Sequence, residues 1–150
     1  MPIHVELVTQ ERKVFEDTEV DKINVPASEG EMGILQGHAP VLTTMTFGEL
    51  VITKGNAEER FAIYGGVVDV RPNKVVILAD LAESSFDIDA ERAREARERA
   101  RKMMQEGVPE EENRQAILEL RRAELQLKLS NKVSNRGSQM RIVSQEDRDN

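Results

Sequence analysis

Five arginines, Arg92, Arg94, Arg97, Arg99 and Arg101, fall within ten residues of the stretch FDIDAERAREARERARKMM, which runs from Phe86 to Met104. The chain around them is acidic, with a net charge of -7 over 150 residues. A guanidinium is permanently charged and presents its donors in a planar fork, so arginines gathered on one surface can hold an anion bidentately. The same residues can also lie along a solvated helix laced with ion pairs, because Glu91, Glu95 and Glu98 interleave at i±3 and i±4. Helical geometry divides them. Arg92 and Arg99 are seven residues apart and fall on almost one line, whereas Arg94, Arg97 and Arg101 form a separate ridge. For that second ridge the expectation is a salt-bridged surface, each pair contributing ~0.3–0.5 kcal/mol.

These arginines require a helix, and the sequence around them supplies one. Ala93, Ala96, Ala100 and Met103 recur at helical spacing, with Asp87 or Asp89 placed to cap the start. Gly107-Val108-Pro109 ends that helix, and Glu110, Glu111 and Glu112 crowd the start of another. In the second helix Ala116, Leu120, Ala123 and Leu127 form a matching stripe, with Ile117 and Leu118 beside it. Two helices joined by so short a break predict an antiparallel hairpin over residues 85–130. Its alanine seam allows close approach but buries little apolar area per turn, so the hairpin is expected to detach or unfold without large cost. Residues 131–150 are polar and without sustained period, and read as a largely disordered tail with no assigned role.

Residues 1–84 have another period. IHVELVT, EVDKINVPA, ELVITKG, RFAIYGGVVDVRP and KVVILAD are short and rich in Val and Ile. Each is closed by turn chemistry such as Pro26, Gly30, Gly55-Asn56, Gly65-Gly66 or Pro72-Asn73. The pattern predicts an all-β antiparallel sandwich or flattened barrel, making the whole chain α+β. With four Phe, one Tyr and no Trp, its core must be aliphatic. The absence of cysteine excludes disulfides and thiolate chemistry. No window approaches the ~18 apolar residues of a membrane span, and MPIHVELVTQ has no signal-peptide character. The acidic balance argues against nucleic acid as a partner, and a cytosolic setting is the default.

The most distinctive β-half segment is VPASEGEMGILQGHAPVLTTM, residues 25–45. Read from its residues alone, it is a pair of tight turns or a partner-facing loop around Ile34-Leu35. Gly30, Gly33 and Gly37 would supply positive φ or close approach. A metal reading of His38 fails because the one other histidine is His4 and no cluster has ligand spacing. A phosphate-loop reading fails for want of a G-x-x-x-x-G-K-[ST] motif. Ser28 and His38 could be drawn into a nucleophile triad, but no nucleophile elbow supports catalysis. A free-standing adaptor, with the sandwich and the helices serving separate partners, remains a reading in its own right.

PASEGEMGILQGHAPVLTTMTFGEL followed by AIYGGVVDVRPNKVVILADLAE, and then IDAERA and the hairpin, resembles the epsilon subunit of bacterial rotary F-type ATP synthases over about residues 1–130. The resemblance implies a ten-stranded sandwich at the foot of the central stalk, against the gamma subunit and the ring of c subunits. It implies a non-catalytic subunit with no required cofactor, peripheral on the cytoplasmic face of the bacterial plasma membrane. That subunit would couple ring rotation to ATP synthesis and proton transport, and would restrain ATP hydrolysis. In restraint the hairpin extends towards the alpha and beta subunits, where Arg94, Arg97 and Arg101 could meet an acidic surface. Glu31, Met32, Gly33, Ile34, Leu35 and His38 would form a loop contacting the ring.

The segment IDAERA, residues 88–93, also matches the I/L-D-x-x-R-A pattern with which some of these subunits bind ATP as a regulatory ligand in the folded hairpin. Carried over, Ile88 and Asp89 would contact the adenine end, with Ala93 leaving room. Arg92, Arg99 and Arg122 would face the nucleotide, and Glu83 would help recognise the base. Asp89 is explained equally well as a helix cap. One turn beyond Arg122, where the family often has a basic residue, stands Gln126. ATP-independent inhibition by the same subunit is the alternative.

Overall fold

The structure is a computed structural model that describes residues 2–135 and 141–142. It divides into two units, residues 1–84 with 138–150, and residues 85–137.

The first unit is built from β1 (Ile3–Val8), β2 (Lys13–Val20), β3 (Lys22–Ala27), β4 (Gly30–Leu35), β5 (Val41–Lys54), β6 (Ala57–Val70), β7 (Lys74–Ala79) and β8 (Ala82–Ser84). Hydrogen bonding follows the order β2-β1-β7-β6-β5-β3-β4, with β8 paired to β6. The ladder curls over itself. Although β2 and β5 are not neighbours in that order, Asp17 of β2 and Lys54 of β5 form an ion pair at 3.0 Å. Phe15 of β2 and Phe61 of β6 meet edge to face with centroids 5.8 Å apart. Alternation drives this closure: Ile3, Val5 and Leu7 point inward from β1, Val75 and Ile77 from β7, and Leu50 and Ile52 from β5. The interior is an aliphatic sandwich core, as the composition requires.

Four features of the strands differ from the sequence expectations. Among the described residues there are eight strands rather than about ten, because β5 and β6 each run 14 residues unbroken, the length of two ordinary strands. The sandwich is not wholly antiparallel. β1 and β7 pair in parallel, His4 opposite Lys74 through Val8 opposite Leu78. Gly65-Gly66 is not a turn but lies inside β6, at φ 96° and 136°. A Cβ at Gly66 would sit 2.2 Å from the Leu78 carbonyl oxygen, so only a residue without a side chain lets β7 approach.

The fourth difference concerns the glycine-rich segment. Residues 30–35 form β4, paired with β3 from Ala27 opposite Gly30 to Lys22 opposite Leu35. Gly30 and Gly37 have positive φ, whereas Gly33 does not and sits opposite Asn24 in the ladder. The β-ladder wins over the local turn signals because Ile34, in phase with the core, is completely buried.

The second unit is α1 (Ala90–Gln105) and α2 (Glu110–Asn135), packed against each other. Asp89 caps α1, and Gly107, at φ 72°, follows its last turn. The Asn113 amide donates to the Pro109 carbonyl at 2.9 Å to begin α2, with the three glutamates in its first turn. The seam is alanine as expected: Ala93, Ala100, Ala116 and Ala123 are all at most 2% exposed. Leu127 and Leu129 are buried further along, and α2 continues to Asn135 instead of ending near residue 130. Lys132, in the last turn, favours that longer helix through the dipole. Arg141 and Ile142 belong to the first unit, where the sequence suggests only a tail, and the rest of 136–150 lies outside the described residues.

Candidate functional site

The arginines of α1 separate as helical geometry predicts. Arg94 is hydrogen-bonded to Glu91 one turn back. Arg101 lies 3.6 Å from Glu98 and, across the hairpin, 3.8 Å from Glu124 of α2. Arg97 approaches Glu98 at 3.8 Å. All three therefore have acidic partners. Arg92 and Arg99 are exposed, and among the described residues neither guanidinium has an acidic partner. Two cations without protein counter-charges on one line of a helix can take up an anion without first breaking an ion pair.

The other residues of the motif are placed as follows. Asp89 Oδ1 accepts the Glu91 amide at 3.1 Å and the Arg92 amide at 3.2 Å. Its extended backbone, φ -90° and ψ 105°, is that of an N-cap. Ile88 is half-buried just before the cap. Ala93, 2% exposed, lies in the helix seam. Arg122 is an exposed residue of α2, engaged in contacts of its own, as is Gln126. Glu83 belongs to β8 in the other unit, opposite Ala62 of β6. The hairpin thus carries Ile88, Asp89, Arg92, Ala93, Arg99 and Arg122 in one unit.

The proposed ring-contact residues are split by the alternation of β4. Glu31, Gly33 and Leu35 face outward, Leu35 at 59% exposure, and Met32 packs partly on the core. Ile34 is a core residue, and its full burial withdraws it from any partner. His38 is half-buried, with Nδ1 2.8 Å from the Ala39 carbonyl oxygen.

Two clusters escaped the sequence reading because their members lie in different segments of the chain. His4, Glu6 and Glu16 lie close enough to share an ion. Lys13 already sits 2.7 Å from Glu16, and both Lys13 and Lys74 sit 3.8 Å from Glu6, so the carboxylates are neutralised by ammonium groups. The Lys13 hydrogen bond, followed by that of His4, holds the Glu16 carboxyl below its ordinary pKa. The second cluster centres on Glu59, 1% exposed, whose Oε1 accepts from Arg141 Nε at 3.0 Å. Its signal was present in the sequence, since Glu59 stands in phase with Ala57, Phe61 and Ile63. Among the described residues, no helix is long and apolar enough to cross a membrane.

Comparison with known proteins agrees with this division. Residues 2–85 match the family described as ATP synthase, Delta/Epsilon chain, beta-sandwich domain, and residues 87–131 match its long alpha-helix domain. The ATP synthase epsilon chain of Halalkalibacterium halodurans is 43% identical over 126 residues, 84% of this chain and 90% of that relative. The epsilon chain of Herpetosiphon aurantiacus is 42% identical over 91% of this chain and 99% of its own. Among solved structures, a chain of the Euglena gracilis mitochondrial ATP synthase, imaged with OSCP, F1 and the c-ring, superposes with a TM-score of 0.76. It is 26% identical and covers 89% of this chain and 81% of that one.

Proposed function

The chain belongs to the ATP synthase delta/epsilon chain family as a non-catalytic epsilon subunit, and from that premise we propose that its hairpin is a nucleotide-responsive arm restraining ATP hydrolysis. The sandwich is the part that binds the gamma subunit and, through Glu31, Leu35 and His38, the c-ring. It stays peripheral on the cytoplasmic face of the bacterial membrane and carries rotation driven by protons. ATP binds the folded hairpin through Arg92, Arg99 and Arg122, with Ile88 and Asp89 towards the base.

The observation that carries the nucleotide reading is the inequality of the arginines. Among the described residues, Arg94, Arg97 and Arg101 have acidic partners, and Arg92 and Arg99 do not. A ligand that bridges the two helices binds only the folded hairpin and stabilises it by mass action. An alanine seam keeps the two states of the arm within a few kcal/mol, the range in which a ligand can choose between them.

Calorimetric titration of ATP into the full chain tests this. Saturable binding, weakened about tenfold or more by Arg92→Ala and by Arg122→Ala, is expected. No heat at millimolar ATP removes the nucleotide and leaves the family assignment intact. In that event the arm inhibits through charge alone, and deleting residues 86–150 raises hydrolysis by the assembled enzyme equally at every ATP concentration.

A further inference from the structure

β6 turns Ala57, Glu59, Phe61 and Ile63 to the same side, and all four are buried. A carboxylate in an apolar register is costly unless a cation or strong donors reach it. Arg141 is one of the groups that does so, from 82 residues downstream. Its side chain is 46% exposed, so the buried acid gains a counter-charge without burying a second ionic side chain completely. The adjacent Ile142 is 4% exposed and joins the apolar cluster that includes Phe15, Ala57 and Phe61. One dipeptide therefore answers both a polar and an apolar demand of the same sandwich.

We propose that Arg141 and Ile142 form a latch tying the C-terminal end of α2 to the sandwich. Asn135 is the last residue of α2, and Arg141 follows it by six Cα–Cα steps, which span about 21 Å when fully extended. While the dipeptide is seated, the end of α2 is leashed within that length. Once it leaves, the leash is gone and Glu59 loses a counter-charge. Where the proposed arm restrains hydrolysis by extending its hairpin, the latch must open first; that consequence rests on the proposed function, whereas the latch itself does not.

The test uses the full chain and a double-mutant cycle of Glu59→Gln and Arg141→Gln, read by urea unfolding of the sandwich and amide hydrogen exchange. The expected result is coupling: Arg141→Gln lowers the folding constant at least about fivefold more in the wild-type background than in Glu59→Gln. Arg141→Gln is also expected to speed exchange over residues 127–135. Ile142→Ser, which leaves the charges alone, should speed exchange over the same residues and serves if a Glu59 variant does not fold. Additive effects overturn the latch. Coupling with unchanged exchange at 127–135 in both Arg141→Gln and Ile142→Ser overturns the tether. Arg92→Ala should leave the coupling untouched, so the latch and the nucleotide reading fail separately.

Discussion

Asp89 Oδ1 accepts the backbone N–H of Arg92 at 3.2 Å, so the acid that the family pattern sends towards adenine also starts the helix carrying the arginine beside it. Removing Asp89 therefore disturbs the helix and the site together. Asp89→Ala should lower hairpin stability by about 1 kcal/mol, whereas Asp89→Asn, which retains a capping oxygen, should cost little. Circular dichroism of both variants, set beside ATP titration, separates the roles. Weak ATP binding by a well-folded Asp89→Asn chain marks a direct contact, and normal binding marks a cap only.

The two arginine ridges should respond differently to truncation. Arg99→Ala is expected to weaken ATP binding about tenfold or more, the loss of a charge-assisted contact. Arg101→Ala should change it less than about twofold, since Arg101 is engaged with Glu98 and Glu124 at exposed positions. Equal losses in the two variants would mean that net charge, not position, attracts the nucleotide.

Alanine in the hairpin seam makes a steric prediction. Ala100 is completely buried, and Ala100→Leu should destabilise the hairpin by about 1–3 kcal/mol through overpacking. Hydrogen exchange should quicken across α1 and α2 and remain slow in the β-strands. Uniform acceleration through both units would contradict the division into two.

Two glycines in the sandwich should behave oppositely. Gly66→Ala places a methyl 2.2 Å from the Leu78 carbonyl oxygen at φ 136°, and should cost more than about 3 kcal/mol or prevent folding. At Gly33 the added methyl meets Asn24 Oδ1 at 3.4 Å and the backbone is not left-handed, so Gly33→Ala should be tolerated within about 1 kcal/mol. Urea unfolding of the two variants checks the contrast.

Acid should loosen the sandwich at one identifiable place. Glu16 is held below its ordinary pKa by Lys13 and then by His4. A carboxyl whose folded pKa is depressed contributes stability fully above the unfolded value and loses it as pH falls through the folded one. That contribution should fade from about pH 4 downward. Glu16→Gln should flatten this part of the stability profile.

Much of this architecture was legible in the chain. The short Val- and Ile-rich runs locate β1, β5 and β7, and the alanine stripe gives the hairpin together with its seam. Gly65-Gly66 misled because left-handed glycines usually mark turns, whereas here they let one strand continue beneath a neighbouring carbonyl. Gly30–Leu35 misled because turn residues flank a short strand whose single inward anchor is Ile34. The seat of Arg141 on Glu59 was half legible: the phase of Glu59 in β6 announces a buried acid, but its counter-charge lies 82 residues away, beyond the reach of any local pattern. The His4–Glu6–Glu16 group is hidden in the same way, since pairing of β1 with β2 creates it.

The parallel pairing of β1 with β7 also dictates an order of assembly. The first strand lies between the second and the seventh, so its ladder cannot be completed until residue 79 exists. A nascent chain must therefore hold β1 half-satisfied while most of the sandwich is synthesised, and such long-range closure is slow. The hairpin needs only neighbours in sequence and can form as soon as its second helix is made. The sandwich is consequently the kinetically demanding half, and the helical hairpin the half whose contacts can form from its own sequence neighbours alone.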